Sequence, residues 1–315
     1  FALAYFFSAL VRAITATLSP TLTDEFSLNA QDLGLLAGGY FLGFSFTQLP
    51  LGRLLDSHGP KKVVLAFLTF AVLGCLAFAW ADSFTGLLAA RVLCGMGVSA
   101  CLMAPLTGYR RWFDANDQLR SNSWMLMTGS LGMLAATLPV QWLMPIWGWR
   151  ALFVMLGIMI ALAMVLIFMV VPLWRTTSTN EDPAAKVIQD DGSYREIWRS
   201  AYFWRMTPIG FFSYGVMVAI QTLWAGPWMT QVAGWTPTEA AKGLFLINLC
   251  MLVTFWLWGL MSPGLARRGI PVERLIAWGL PMSFVVIASL AWMGPSIGTG
   301  AAVGVALLCV SSTVV

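Results

Sequence analysis

Charged side chains make up 10% of this 315-residue chain, against about 25% in an ordinary soluble domain. With 59% of its residues hydrophobic, such a chain cannot turn most of its surface to water. Histidine occurs once, as His58, which excludes a catalytic His pair and removes the commonest metal ligand. The five cysteines, Cys75, Cys94, Cys101, Cys250 and Cys309, stand in apolar runs without CxxC or CxxH spacing. They read as small core residues rather than disulfides or metal ligands. No metal and no cofactor are expected. A nucleophile with its base, or an HExxH helix, is also missing, which excludes an intramembrane enzyme. The net charge of +4 lies in scattered loops and gives no footprint for nucleic acid.

What the chain does have is long apolar runs. A membrane span needs about 20 such residues at 1.5 Å each. Ten candidate spans emerge, at 1–19, 32–55, 63–81, 84–107, 123–144, 151–173, 205–229, 239–261, 273–293 and 297–315. Turn chemistry separates them: "SPTLTDEFSLNAQD", "DSHGPKK", "YRRWFDANDQLRSN", "MPIWGW", "AGWTPTE", "SPGLARRGIP" and "GPSIGTG". The expected fold class is an all-α polytopic membrane protein. Residues 174–202 form a longer charged linker, dividing an N-terminal part (1–173) with six spans from a C-terminal part (203–315) with four. The chain opens at "FALAYFF" and stops at "LLCVSSTVV", both inside apolar segments. It therefore reads as a fragment without a short N-terminal tail and without the end of its last helix.

The charges fall unevenly along this alternating path. Arg53, Lys61, Lys62, Arg110, Arg111, Arg120, the basic residues of the linker, Arg205, Arg267, Arg268 and Arg274 share one side. The other side has Arg150 and Lys242 among Asp24, Glu25, Asp82 and Glu239. The positive-inside rule makes the basic side, with the linker, cytoplasmic. The expected location is a bacterial inner membrane.

The loop after the second span, Gly52-Arg-Leu-Leu-Asp56-Ser-His-Gly59-Pro-Lys61-Lys62, resembles the G-x-L-x-D-x-x-G-x-[RK]-[RK] signature of the major facilitator superfamily. Arg91-Val-Leu-Cys-Gly95-Met-Gly97 is similar to that family's helix-4 motif, R-x-x-x-G-x-G. "GWRALF", 148–153, resembles the start of its helix 6, and "GLMSPGLARRG", 259–269, resembles a decayed second copy of the loop signature. The resemblance implies two pseudo-symmetric six-helix bundles, of which ten helices are present here. It also implies that the Gly52–Lys62 loop latches the two halves when the outer gate is open. By physical reading, Gly52 and Gly59 permit close approach and turning. Asp56 stands where it can pair with a loop lysine or cap a helix N-terminus. Lys61 and Lys62 suit an anionic membrane surface. His58 reads as a solvated loop residue.

An ionisable residue inside a span costs at least about 2.5–3.5 kcal/mol and is a functional candidate by default. Arg12 and Arg91 alone qualify, since all fourteen acidic residues fall in loops or at span ends. Arg12 stands eight residues before Pro20, about 12 Å of helix. "LVRAITATLSP", 10–20, is similar to helix 1 of the organophosphate:phosphate antiporter branch, where the corresponding Arg contacts substrate phosphate. That branch's second Arg, on helix 7, has no counterpart at Val216–Ile220. One guanidinium suits a monovalent carboxylate better than a dianion. Arg91 allows either a structural bond to backbone carbonyls or a functional role. Further candidates for substrate contact are Tyr5, Tyr40, Gln221, Trp224 and Asn248. Gly34, Gly38, Gly39 and Gly43 have the spacing that lets helices pack closely.

No span carries a central carboxylate or histidine for proton relay, and "TGSLGMLAATLPVQW", 128–142, lacks the Gly-Pro pair of drug/proton antiporters. Symport, antiport and uniport therefore stay open, as does the coupling ion. The leading expectation is a monomeric secondary transporter of a small organic anion, working by alternating access in the lipid bilayer. A drug or metabolite exporter is the alternative, and a non-transporting membrane sensor is the alternative from another class.

Overall fold

The computed structural model describes residues 1–113, 115–172, 198–220, 224–267 and 272–293, and among them there are helices and no strands. The helices are α1 (Ala2–Phe26), α2 (Ala30–His58), α3 (Pro60–Ala79), α4 (Phe84–Val98), α5 (Ala100–Trp112), α6 (Ala115–Ala135) and α7 (Leu138–Val170). After the linker come α8 (Ala201–Ala219), α9 (Ala225–Gln231), α10 (Pro237–Arg267) and α11 (Val272–Met293). Four segments are long and apolar enough to cross a membrane: Ala2–Phe26, Pro60–Ala79, Phe84–Arg110 and Leu138–Val170. The helix α2, at 29 residues, is long enough but diluted by glycine and polar side chains. The last expected span, 297–315, lies outside the described residues, as do Cys309 and linker residues 174–197.

Several expected boundaries move. The turn predicted from Ser19 is absent, and α1 runs through Pro20 to Phe26, ending at a left-handed Ser27. A proline inside a helix removes one donor and its ring crowds the carbonyl four residues back; here that carbonyl, Ala16 O, accepts from Ser19 Oγ at 3.0 Å. The chain then breaks for Leu28–Asn29, where Asn29 and Asp32 form a reciprocal capping box. The predicted span 123–144 is interrupted at Ala136–Thr137, ahead of Pro139. Proline favours the first turn of a new helix, so α7 starts there. A second interruption, Gly148 at φ +73°, sits inside α7 where "MPIWGW" predicted a break. The break expected at Ser262–Pro263 is also absent, because α10 continues to Arg267.

Close packing fixes the arrangement of α1–α7. The backbones of α2 and α4 touch: a methyl group on Gly43 would overlap the Val92 carbonyl, and one on Gly95 the Tyr40 carbonyl. Of the four spaced glycines in α2, Gly39 and Gly43 face α4, whereas Gly34 and Gly38 face open space. Another long seam joins α1 to α6, running in the same direction. Thr17 Oγ1 donates to Ala136 O at 2.7 Å, and Gly132 lies against the Phe6 backbone.

Buried apolar residues form two clusters. The larger one gathers side chains from α1 to Val171. The smaller one, Met217, Val218, Ala225, Met229, Ala240, Leu244, Ile247 and Met251, joins α8, α9 and α10. Ala16 of α1 and Phe41 of α2 pack on this second cluster. The two sets of helices meet mainly where α10 packs against α6, and to a smaller extent against α7. Burial along α8 increases toward its C-terminal end. Tyr202, Trp204, Phe211 and Phe212 are exposed, and Met217 and Val218 are buried.

Candidate functional site

Arg12 lies near the middle of α1 and is half-buried. Its Nη2 reaches Met133 Sδ on α6 at 4.0 Å. Arg91 lies seven residues into α4 and is 1% exposed. Its Nη1 donates to the Val11 carbonyl at 2.9 Å, the peptide immediately before Arg12. The Arg91 guanidinium also sits 5.0 Å from the centroid of the Tyr40 ring, a cation–π contact that a water-poor setting strengthens. Tyr40 is itself buried at 2% exposure. The structure thus brings three of the candidates together: Arg12, Arg91 and Tyr40, tied through α1, α2 and α4.

The remaining candidates are spread out. The Tyr5 ring lies against Gly129 of α6, one turn of that helix before Met133. Asn248 is 4% exposed, and its Nδ2 donates to Leu244 O of its own helix at 2.8 Å. Trp224 is exposed at the start of α9. Gln221 lies outside the described residues.

The Gly52–Lys62 segment departs from its expected loop form. Helix α2 extends through it to His58, so the break is Gly59 alone, at φ +78° and ψ 162°. Only glycine adopts that backbone without strain, and Pro60 then opens α3. A methyl group on Gly52 would meet nothing within 4 Å, so no other helix comes close on that side. Lys61 is buried at 9% exposure, with Nζ 5.1 Å from the centroid of the Phe168 ring of α7. It is therefore directed into the bundle, and Lys62 alone of the pair is exposed. Asp56 is exposed, and among the described residues it forms neither an ion pair nor a cap. His58 is exposed, with Nδ1 2.7 Å from Ser57 Oγ. Gly95 and Gly97 of the helix-4 motif are contact points, against Tyr40 of α2 and Ala71 of α3.

Sequence reasoning missed a polar clasp at the opposite end. Glu25 Oε1 pairs with Arg150 Nη1 at 2.5 Å, and Glu25 Oε2 accepts from Trp149 Nε1 at 2.7 Å. Arg150 Nη2 reaches Ala81 O at 3.4 Å and Asp82 at 3.7 Å. The signal was available: Arg150 is one of two basic residues on the side that holds Glu25 and Asp82. Trp149 is 4% exposed and packs edge-on to Phe26 and Phe78. No group of metal ligands occurs among the described residues.

Comparison with known proteins places this geometry. A probable L-galactonate transporter of Escherichia coli is 25% identical over 160 residues, 49% of this chain and 35% of that protein. The hexuronate transporter of the same organism is 27% identical over 148 residues, 47% of this chain and 34% of its own length. A 4-hydroxybenzoate transporter of Pseudomonas aeruginosa is 28% identical over 164 residues, 52% and 37% of the two chains. The matched part is about a third of these relatives' own length. Among solved structures, a bacterial homologue of the human lysosomal transporter Spinster superposes with a TM-score of 0.72 at 19% identity, over 99% of this chain and 71% of that one. The Escherichia coli xylose transporter gives 0.74 at 14% identity, over 98% and 82%. These likenesses are likenesses of fold. The model of the Major Facilitator Superfamily matches residues 1–315, and the chain belongs to that family.

Proposed function

We propose that this chain forms most of a secondary transporter that carries a small organic anion by alternating access, with Arg12 as its charged contact. The observation that carries the reading is the position of Arg12, half-buried in the middle of a span, next to the Val11 peptide that buried Arg91 holds. A guanidinium there keeps its charge at any working pH and offers a planar fork to a carboxylate. Relatives named for galactonate, hexuronate and 4-hydroxybenzoate support a carboxylate cargo. In this reading 1–173 and 203–315 are the two halves, linker 174–202 is cytoplasmic, and the end bearing Glu25 and Arg150 is the outer one. The five substrate-contact candidates Tyr5, Tyr40, Gln221, Trp224 and Asn248 remain part of the proposal.

The test is binding and uptake of D-galacturonate and of 4-hydroxybenzoate in proteoliposomes. Arg12→Lys keeps the charge without the fork, so affinity falls by about 1–3 kcal/mol. Arg12→Gln removes most anion binding while the helical fold persists. Wild-type affinity in Arg12→Gln overturns the anion reading and favours an exporter of neutral or cationic compounds.

A further inference from the structure

Thr69, Thr107, Thr128 and Thr254 each donate their hydroxyl to the carbonyl four residues back, at 2.7–3.1 Å. That bond is the usual partner of a hydroxyl within an apolar helix. Thr15 of α1 departs from it. The residue is 4% exposed, and among the described residues its Oγ1 has no hydrogen-bond partner. A buried hydroxyl left unpaired is destabilising and calls for an explanation.

The cause lies in α4. The carbonyl four residues before Thr15 is that of Val11, and Arg91 Nη1 donates to it at 2.9 Å. The backbone N–H of Thr15 bonds the same oxygen in the helical ladder. A carbonyl oxygen has two lone pairs, so both are taken and the Thr15 hydroxyl is left over. Arg91 Nε, equally buried, is also without a partner among the described residues. Side chains of a helix tilt toward its N-terminus, so the Thr15 hydroxyl stands over the Val11–Arg12 peptide.

Thr15 follows Arg12 by three residues, which makes them neighbours on the helix surface, about 5–6 Å apart at Cβ. Ala16, four residues after Arg12, lies against the smaller buried cluster. The side of α1 that carries Arg12 therefore turns toward the second set of helices. A guanidinium there holds a carboxylate by its fork. A hydroxyl beside it both donates and accepts, which matches an alcohol group on the same molecule.

We propose that Thr15 is a specificity-determining contact for hydroxylated carboxylates of the sugar-acid class. Arg12 takes the carboxylate, and Thr15 Oγ1 exchanges a hydrogen bond with a hydroxyl of the cargo. Arg91 is a positioning residue, because its bond to Val11 O keeps the Thr15 hydroxyl free. That hydroxyl is covered in this state and is reached when the packing around α1 loosens. The inference deepens the organic-anion reading and rests on it.

The test measures the affinities of D-galacturonate and 4-hydroxybenzoate for the full-length protein in proteoliposomes. 4-Hydroxybenzoate carries its hydroxyl at the far end of a flat ring, so it reports the Arg12 contact alone. Thr15→Val keeps the side-chain shape and removes the hydroxyl. It lowers the affinity for D-galacturonate relative to that for 4-hydroxybenzoate about threefold to tenfold, whereas Thr15→Ser keeps the wild-type ratio. Thr15→Val also melts at or above the wild-type temperature, since a methyl group replaces a buried unpaired hydroxyl. A lower melting temperature with an equal loss for both compounds identifies a structural residue and overturns the assignment. An unchanged ratio in Thr15→Val overturns it too. If Thr15→Val does not fold, the ratio in Thr15→Ala against that in Thr15→Ser decides in the same way. Wild-type binding of 4-hydroxybenzoate without D-galacturonate overturns this assignment alone. Binding of neither compound overturns the organic-anion reading, and this assignment with it.

Discussion

At the scale of single residues, the sequence marked Arg12 and Arg91 by cost alone, and the structure separates what each does. Arg91 is fully buried and engages a backbone carbonyl and an aromatic face; Arg12 stays half-buried. Burying a guanidinium carries a desolvation penalty that its bonds need not fully return. Arg91→Met keeps the length of the side chain and removes both the charge and the penalty. Its expected effect on stability is therefore within about 1 kcal/mol, read by thermal melting in detergent. Anion affinity falls in the same variant, because Val11, and with it Arg12, loses its anchor on α4. A large loss of melting temperature with unchanged affinity shows instead that Arg91 only holds helices together. Lys61 illustrates the opposite outcome: its motif position suggested the membrane surface, and the ring of Phe168 on α7 drew it inward.

At the scale of elements, the helix pattern was legible because apolar runs are long and turn residues punctuate them. The boundaries were less so. Pro20 and Pro263 read as stops, yet α1 and α10 pass through them, since a local side chain or the packing around a helix can offset one lost donor. Glycine spacing likewise gave four candidates in α2, and only contact with α4 selects Gly39 and Gly43. Two substitutions separate contact glycines from open ones. Gly95→Val forces α2 and α4 apart and costs about 1–3 kcal/mol. Gly52→Ala, with open space around it, gains about 0.5–1 kcal/mol from reduced freedom of the unfolded chain. Melting curves in detergent with opposite signs for the two variants bear out this division. Equal destabilisation refutes it.

At the scale of the whole molecule, α10 of the second set packs on α6 of the first, and Ala16 and Phe41 lie against the smaller buried cluster. Asp56 is exposed without an ion pair among the described residues. If its loop latches the halves in the state open to the outside, Asp56→Asn shifts the population toward the outward-closed state. A shift of 1.4 kcal/mol changes the ratio tenfold. The expected readout is slower labelling of Ala240→Cys, a position buried in the smaller cluster, by a membrane-impermeant maleimide in cells, with D-galacturonate affinity retained. An unchanged labelling rate identifies the segment as an anchoring turn.

The sequence by itself determined the class of the protein. Apolar length dictates spans, basic asymmetry suggests their orientation, and the Gly52–Lys62 and Arg91–Gly97 motifs point to the family. These are local properties, set by solvent preference and by backbone geometry within a few residues. Only the tertiary structure decided which distant groups meet. Val11 and Arg91 are 80 residues apart in sequence and 2.9 Å apart in space. Glu25 and Arg150 are 125 apart and form one ion pair. No periodicity encodes such pairs, because they follow from the crossing of α1 with α4 and α7, and that crossing depends on how closely glycines let backbones approach.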